Sequence, residues 1–333
     1  MPTTNQKDSV ILDFGKRLRN REIMPFDEFI NFALYDEKIG YYTSLKQRVG
    51  RSGNTDFFTS SSFGTLWSEL IVDACKKILE KETLDQYTFV EIAAEPGQSI
   101  MEGTRHPFGA TRVIRLGDEM QIPSPAIVYS NEWLDAQPFK RFRFCTESGI
   151  WQELGVSLED NSFREKTLDP ALTSTMAENL FTKDYSNTYQ IDWPSGSIEV
   201  LDNLCKQPWK GLFLTFDYGL NKEVLLQERP RGTARSYYRH QLVENLLSRA
   251  GEQDITCHLC WEELLGVLNR RKFSQSTLSS QESFLMNHAS SKIQEIFSKT
   301  SDNSSDPRMQ ALKEIIHPVH MGTKFQALWG IRE

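Results

Sequence analysis

Short apolar runs alternate along this chain with stretches whose apolar residues recur at helical spacing. Val10, Ile11, Phe14 and Leu18 share one helical face, and Pro25 opens a second helix with Phe26, Phe29, Ile30, Ala33 and Leu34 inward. Gly40-Tyr41-Tyr42 breaks that pattern, and the glycine-bearing basic stretch Arg48–Asn54 precedes Asp56-Phe57-Phe58-Thr59. Gly64 to Leu79 reads as an amphipathic helix that buries Leu66, Leu70, Ile71, Ala74 and Ile78. The runs Tyr87–Ala93, Thr111–Leu116, Ala126–Tyr129 and Leu212–Phe216 suit strands of a sheet covered on both faces. Between Lys140 and Asp169, alternation such as Arg141-Phe142-Arg143-Phe144 predicts antiparallel ribbons inserted over that sheet. Ser195–Leu204 predicts a helix, and Asp254–Leu259 and Phe325–Trp329 predict strands. Residues 274–307 are rich in Ser, Gln and Asn around a helical patch near Phe284–Met286, and their ends are expected to be mobile or linker-like. Strands separated by helices make a doubly wound α/β fold. The division expected is a helical segment over 1–80, then a sheet domain over 81–333 with an insert at about 140–200.

Composition narrows the classes. The 333 residues carry a formal net charge of -7, which gives no basic footprint for nucleic acid. No apolar run approaches the roughly 20 residues that a membrane helix needs. The polar start, Met-Pro-Thr-Thr-Asn-Gln-Lys-Asp, lacks the apolar stretch of a signal peptide. Five cysteines, an odd number spread along the chain, suit a reducing compartment, so a cytoplasmic location is expected. Cys257 and Cys260 form a Cys-x-x-Cys without a second pair at zinc spacing and read as structural.

Candidate chemistry gathers where the apolar runs end. Ala126–Tyr129 ends in Ser130, Asn131 and Glu132, with Asp135 one helical turn on. Ligands of open α/β sheets bind outside the carboxyl ends of the strands, so an amide and two acids delivered there suit an active-site floor. The competing reading is a helix N-cap at Asn131 with acids in the first turn. Val90-Glu91-Ile92-Ala93-Ala94-Glu95-Pro96-Gly97 reads as a strand, an acid and a small-residue turn that enters a helix, the way many nucleotide folds admit a cofactor. An ordinary strand-to-helix turn fits it equally. Asp217-Tyr218-Gly219 closes another strand. Arg235, Tyr237, Tyr238, Arg239 and His240 form a basic, aromatic loop, read either as a carboxylate-gripping loop or as a solvated charge run. His258 lies on an apolar strand and suits a satisfied core position; the histidines show no metal-ligand spacing with acids.

Several segments occur in a familiar order: Gly40-Tyr41-Tyr42, Asp56–Ser60, Val90-Glu91, Asn131-Glu132 with Asp135-Ala136 and Pro138, and Asp217-Tyr218-Gly219. Gly232-Thr233, Arg235, Tyr238-Arg239-His240, Gly251, Gln253–Thr256, His258, His317-Pro318, Met321-Gly322 and Phe325 continue it. Together, from about residue 25 to 329, they resemble the MidA family of S-adenosylmethionine-dependent methyltransferases, which includes the mitochondrial protein arginine methyltransferase needed for respiratory complex I assembly. The resemblance implies a Rossmann-like class I methyltransferase core with an N-terminal helical segment and an inserted cap. It implies S-adenosyl-L-methionine as cofactor and a protein side chain, arginine, as acceptor, with a respiratory-complex-related protein among the partners. Glu91, Ala93, Ala94, Gly97 and Asn131 fall on the cofactor side; Glu132, Asn131, Asp135, Asp217 and Tyr218 fall on the acceptor side.

This sequence departs from the family pattern at definite places. Relatives carry roughly Glu-Leu-Gly-Pro-Gly-x-Gly where it has Glu91-Ile-Ala93-Ala94-Glu95-Pro-Gly97-Gln-Ser99. If Ala93 or Ala94 takes a left-handed conformation, each costs about 1–2 kcal/mol relative to glycine. The stretch before Asn131 is shorter than in typical members and lacks a strand–helix unit, with the acid that would hold the ribose hydroxyls; Asp118 and Glu119 are the substitutes at hand. Thr55 stands where relatives have a glycine. Two functions follow: an active methyltransferase on a protein acceptor, and a catalytically degenerate methyltransferase fold that works as a binding or assembly factor.

Overall fold

Six segments pair into one sheet, and its central strands are short, rich in β-branched and aromatic residues, and bounded by turn residues. They are β1 (Thr88–Ile92), β2 (Ala110–Ile114), β3 (Ala126–Asn131), β4 (Gly211–Asp217), β5 (Ser274–Ser280) and β6 (Gln326–Arg332). The computed structural model describes residues 4–43, 60–169, 176–181, 185, 188–239, 241–300 and 306–333. The expected features at Arg48–Asn54 and Asp56–Thr59, and His240, lie outside the described residues. The chain forms two units: Met1–Lys46, Leu134–Glu199 and Leu220–Cys260 make the first, and Gln47–Trp133, Val200–Gly219 and Trp261–Glu333 the second. The stretch 1–80, expected as one helical segment, is therefore shared between both units.

In the second unit the strand order is β5-β6-β4-β3-β1-β2. The strands β1 to β4 are parallel, and β6 runs antiparallel to β4 and β5. Every residue of β4 is buried, which is why it reads as an unbroken apolar run. Alternate residues Ile127 and Tyr129, and Leu212, Leu214 and Phe216, share a core with Leu66, Trp67, Leu70 and Ile71 of the helix Thr65–Ile78. Two differences from the sequence pattern stand out. Residues 274–300, expected to hold only a helical patch near Phe284–Met286 between mobile or linker-like ends, form β5 and the helices Gln281–His288 and Ser290–Thr300. Their serines and glutamines hide a sparse apolar stripe, Phe284, Leu285, Ile293 and Ile296, that fills the same core. The turn after β1 was expected to enter a helix; residues 93–109 contain turns and no helix, and 115–125 likewise. The sheet accordingly ends at β2.

The carboxyl-terminal strand is tied down by Arg332. Its Nε, Nη1 and Nη2 donate to the carbonyls of Trp209 (2.7 Å), Cys205 (2.6 Å) and Gln207 (2.5 Å), at the end of the helix Ser195–Lys206. The guanidinium lies 4.7 Å from the Trp209 ring centroid and 5.0 Å from that of Phe273. Orphan helix carbonyls thereby gain a charged, planar donor.

The first unit is antiparallel. Lys140–Cys145, Ile150–Glu159, Ser162–Thr167 and Gln190–Trp193 form the expected ribbons, and Met24–Pro25 adds an edge. Its centre holds a buried ion pair: Arg141 Nε donates to Asp192 Oδ1 at 2.7 Å, and Asp192 Oδ2 accepts from the Thr233 and Ala234 amides at 2.8 Å each. Arg235–Tyr238, expected as a loop, is a strand between Gln241–Val243 and Asp254–Thr256. The polar sequence Arg-Ser-Tyr-Tyr masks a strand that has a partner on each side.

Replacing Arg332 by methionine keeps the apolar contacts and deletes the fork. Losing hydrogen bonds from a charged donor costs about 2–3 kcal/mol. The urea midpoint of the variant is expected to fall accordingly, with the slope of the transition unchanged.

Candidate functional site

The parallel register sets the site. Ile92 pairs with Ser130, and Asn131 with Phe216, so β1, β3 and β4 end at adjoining levels with Glu91, Asn131 and Asp217 at or beside their last residues. Both β1 and β3 hand the chain on through a non-glycine residue in the left-handed region: Ala93 has φ +61° and Glu132 φ +50°. Main-chain bonds hold each one, from the Ala93 amide to the Ile114 carbonyl and from the Glu132 amide to the Phe216 carbonyl, both 2.9 Å. Such conformations cost about 1–2 kcal/mol each and persist where neighbours over-determine them, as they do here at strand ends.

On the β1 side, Glu91 is 5% exposed, and its Oε2 accepts from the Ser99 hydroxyl (2.7 Å) and the Ile100 amide (2.9 Å). Burial pushes this carboxyl above its ordinary value, while the Ser99 and Ile100 bonds and the Arg115 charge pull it back. The acid thus fastens the turn that follows it. Gly97, with φ +72°, has no heavy atom within 4 Å of where a Cβ would stand, so the turn is open there. Arg115, the residue after β2, donates from Nη2 to the Gln98 carbonyl at 2.8 Å, and its own amide donates to Asp118 Oδ2 at 2.8 Å.

On the β3 side, Asn131 Nδ2 donates to Glu132 Oε1 at 3.0 Å. Asn131 Oδ1 is buried and has no hydrogen-bond partner among the described residues. Beneath them Tyr129 accepts from the Trp67 indole N–H at 2.8 Å. Burial holds the Tyr129 hydroxyl well above its ordinary range; the Trp67 bond opposes this, and the Glu91 and Glu132 charges add to it. Ser130 donates to Thr215 at 2.8 Å and stitches β3 to β4. Asp217 is fully buried and accepts the Tyr218 amide at 2.9 Å, and the Tyr218 ring meets Phe325 edge-on at 5.9 Å.

The sheet therefore brings together Glu91, Ala93, Asn131, Glu132, Asp217 and Tyr218, while Ala94 and Gly97 follow on the turn after β1. Asp135 belongs to the first unit, where it is buried and its carbonyl accepts the Cys257 amide at 2.9 Å. Also in that unit, Tyr42 donates to Asp254 at 2.6 Å and stacks on Tyr35 at 5.5 Å. His258 is pushed down to about 4, first by burial and then by the Arg235 charge, and its Nδ1 lies 3.3 Å from the Thr233 carbonyl. It is neutral at neutral pH, and it sits half-buried between the strands Asp254–Thr256 and Leu259–Cys260, not within one apolar strand as expected. Cys257 and Cys260 are buried free thiols. Among the described residues no group of three or more metal-ligating side chains gathers, and no helix is long and apolar enough to cross a membrane. Sequence reasoning missed Ser99, Arg115, Trp67 and Tyr129, whose roles depend on partners that are distant in the chain or inconspicuous beside it.

A family model described as "Putative S-adenosyl-L-methionine-dependent methyltransferase" matches residues 71–277. The chain is also similar to a protein from Burkholderia thailandensis solved with S-adenosyl-homocysteine bound, with a TM-score of 0.86 and 19% identity over 100% of this chain and 95% of that one. A native structure of an uncharacterized protein of the same superfamily and organism gives a TM-score of 0.82 at 18% identity, over 100% and 94%. At these identities the likeness shows the fold: a mixed α/β protein with a sheet core and helices.

The strain at Ala93 is directly measurable. Ala93→Gly removes about 1 kcal/mol of left-handed strain and is expected to leave the melting temperature level or raised. Ala93→Val is expected to lower it. A clear loss on Ala93→Gly would contradict the positive φ.

Proposed function

The chain belongs to the S-adenosyl-L-methionine-dependent methyltransferase family that matches residues 71–277, and on that premise we propose that it methylates a protein acceptor, the guanidinium of an arginine. The residues fit the cofactor through main chain and amide: the left-handed turn at Ala93, the open space over Gly97, and the buried, unpartnered Oδ1 of Asn131. Ala93, Ala94, Gly97 and Asn131 would hold it, with Glu91 shaping the turn from within. The cofactor supplies a sulfonium-bound methyl group, so the protein's share is alignment and proton removal. Glu132 is the observation that carries this reading. It stands at the carboxyl end of β3 in the left-handed region, with Asn131 bonded to its Oε1. A carboxylate there can orient a guanidinium and take the proton that the acceptor nitrogen releases when methylated. Asp217 and Tyr218 brace the neighbouring strand end. The resemblance to MidA proteins supports the arginine acceptor and a respiratory-complex-related partner, and the five cysteines spread along the chain support a cytoplasmic site of action.

Two observations favour a second reading, a methyltransferase fold that binds or assembles without catalysis. No helix follows β1, so helix N–H groups are missing from the place where such folds present them to a ligand. Arg115 follows β2, where doubly wound folds use an acid to hold ribose hydroxyls.

Transfer of labelled methyl from S-adenosyl-L-methionine into arginine of a hypomethylated extract separates the two. Glu132→Gln is expected to cut transfer by about a hundredfold or more while S-adenosyl-homocysteine affinity stays within about twofold of wild type. Normal transfer by the variant would overturn the role of Glu132, and no transfer by wild type would favour the second reading.

A further inference from the structure

The turn after β1 raises a physical question: what shapes it without a following helix? In a strand–turn–helix unit the first helical turn fixes the loop that faces the ligand. Here residues 93–109 contain no helix, and the Gln98 amide makes a turn bond to the Glu95 carbonyl. Two side chains reach in from the strands. Glu91, from within β1, accepts from the Ser99 hydroxyl and the Ile100 amide with one carboxylate oxygen. Arg115, from just past β2, donates to the Gln98 carbonyl. Its charge also steadies the buried Glu91 carboxylate, so the two anchors support each other. The Arg115 main chain is pinned in turn: its amide bonds Asp118 Oδ2, and the Asp118 amide returns to the Arg115 carbonyl at 3.0 Å. Further along, Ser99 Oγ accepts the Met101 amide, and Thr104 meets Ser68 of the helix Thr65–Ile78 at 2.6 Å.

We infer that Glu91 and Arg115 form a clamp that replaces the absent helix and holds Ala93–Ile100 in the shape that binds the cofactor, Arg115 being a positioning residue that acts through the Gln98 carbonyl. The inference rests on the methyltransferase reading for its ligand and on the loop contacts for its geometry. It turns an apparent defect, a cation where an acid would read the ribose, into a structural device. Glu91 then serves the cofactor from beneath the turn and not by touching it.

The test has a half that needs no ligand. Hydrogen exchange of the 93–100 amides is compared in wild type, Arg115→Ala, Arg115→Lys and the control Arg105→Ala, an exposed arginine outside the clamp. Loss of one charge-assisted bond is expected to speed exchange in that segment about tenfold in Arg115→Ala, with the melting temperature nearly unchanged. Lysine, which keeps a charged donor, restores much of the protection, and Arg105→Ala leaves it intact. Calorimetric titration with S-adenosyl-homocysteine then shows affinity weakened by a similar factor in Arg115→Ala and partly restored in Arg115→Lys. Unchanged exchange in Arg115→Ala overturns the clamp. Faster exchange with unchanged affinity overturns its role in cofactor binding. Wild type that binds no S-adenosyl-homocysteine overturns the cofactor reading itself, whatever the exchange shows.

Discussion

Parallel pairing of β1, β3 and β4 is the constraint on which the site depends. It brings three strand ends side by side, and each chain must leave its strand without colliding with the next. At two of those ends the exit is a left-handed residue that is not glycine, Ala93 and Glu132. Each conformation is unfavourable by itself and survives because an amide-to-carbonyl bond to the adjacent strand fixes it. The burial of β4 and the cores on Trp67, Tyr129 and Phe216 make those bonds hard to break. The strain is thus concentrated where a ligand would sit, a common accompaniment of function.

The chemistry around these exits is uneven. Within the proposed site, on what would be the acceptor side, Asn131 and Glu132 are joined by a hydrogen bond, and the Asn131 oxygen remains buried without a partner among the described residues. That combination suits a site awaiting a polar ligand, because an orphaned buried acceptor costs about 1–3 kcal/mol until it is satisfied. On the cofactor side, the acid is spent on the loop, the helix is gone, and a guanidinium stands beyond β2. Whatever binds there meets main chain, an open glycine and a loop shaped from below. The two sides of the proposed site thus differ in how firmly they would hold a ligand.

Much of this was legible in the residue pattern. The apolar runs at β1, β3 and β4 named the central strands, and the end of β3 marked Asn131 and Glu132 as candidates before any coordinates. The possible left-handed alanine in the turn was legible too, because glycine is missing where relatives place it. Less legible were elements whose stability comes from tertiary partners. The strand Arg235–Tyr238 reads as a loop until two neighbours pair with it. The serine-rich stretch 274–300 hides Phe284, Leu285, Ala289, Ile293 and Ile296 among polar residues. The clamp on Gln98 joins residues that share no motif, so Arg115 carried no signal. The missing helix was half legible: the shortened stretch before Asn131 signalled a lost strand–helix unit, while a strand, an acid and a small-residue turn led toward a helix after β1 that the chain does not build.

The central claim is that the ends of β1 and β3 form a nucleoside-sulfonium site. The most direct measurement is a titration of isotope-labelled protein with S-adenosyl-homocysteine, followed by amide NMR. The account predicts saturable shifts concentrated at Ala93, Ala94, Gly97, Asn131 and the Asn131 side-chain amide. Shifts confined to other parts of the chain, or none at millimolar ligand, would contradict it.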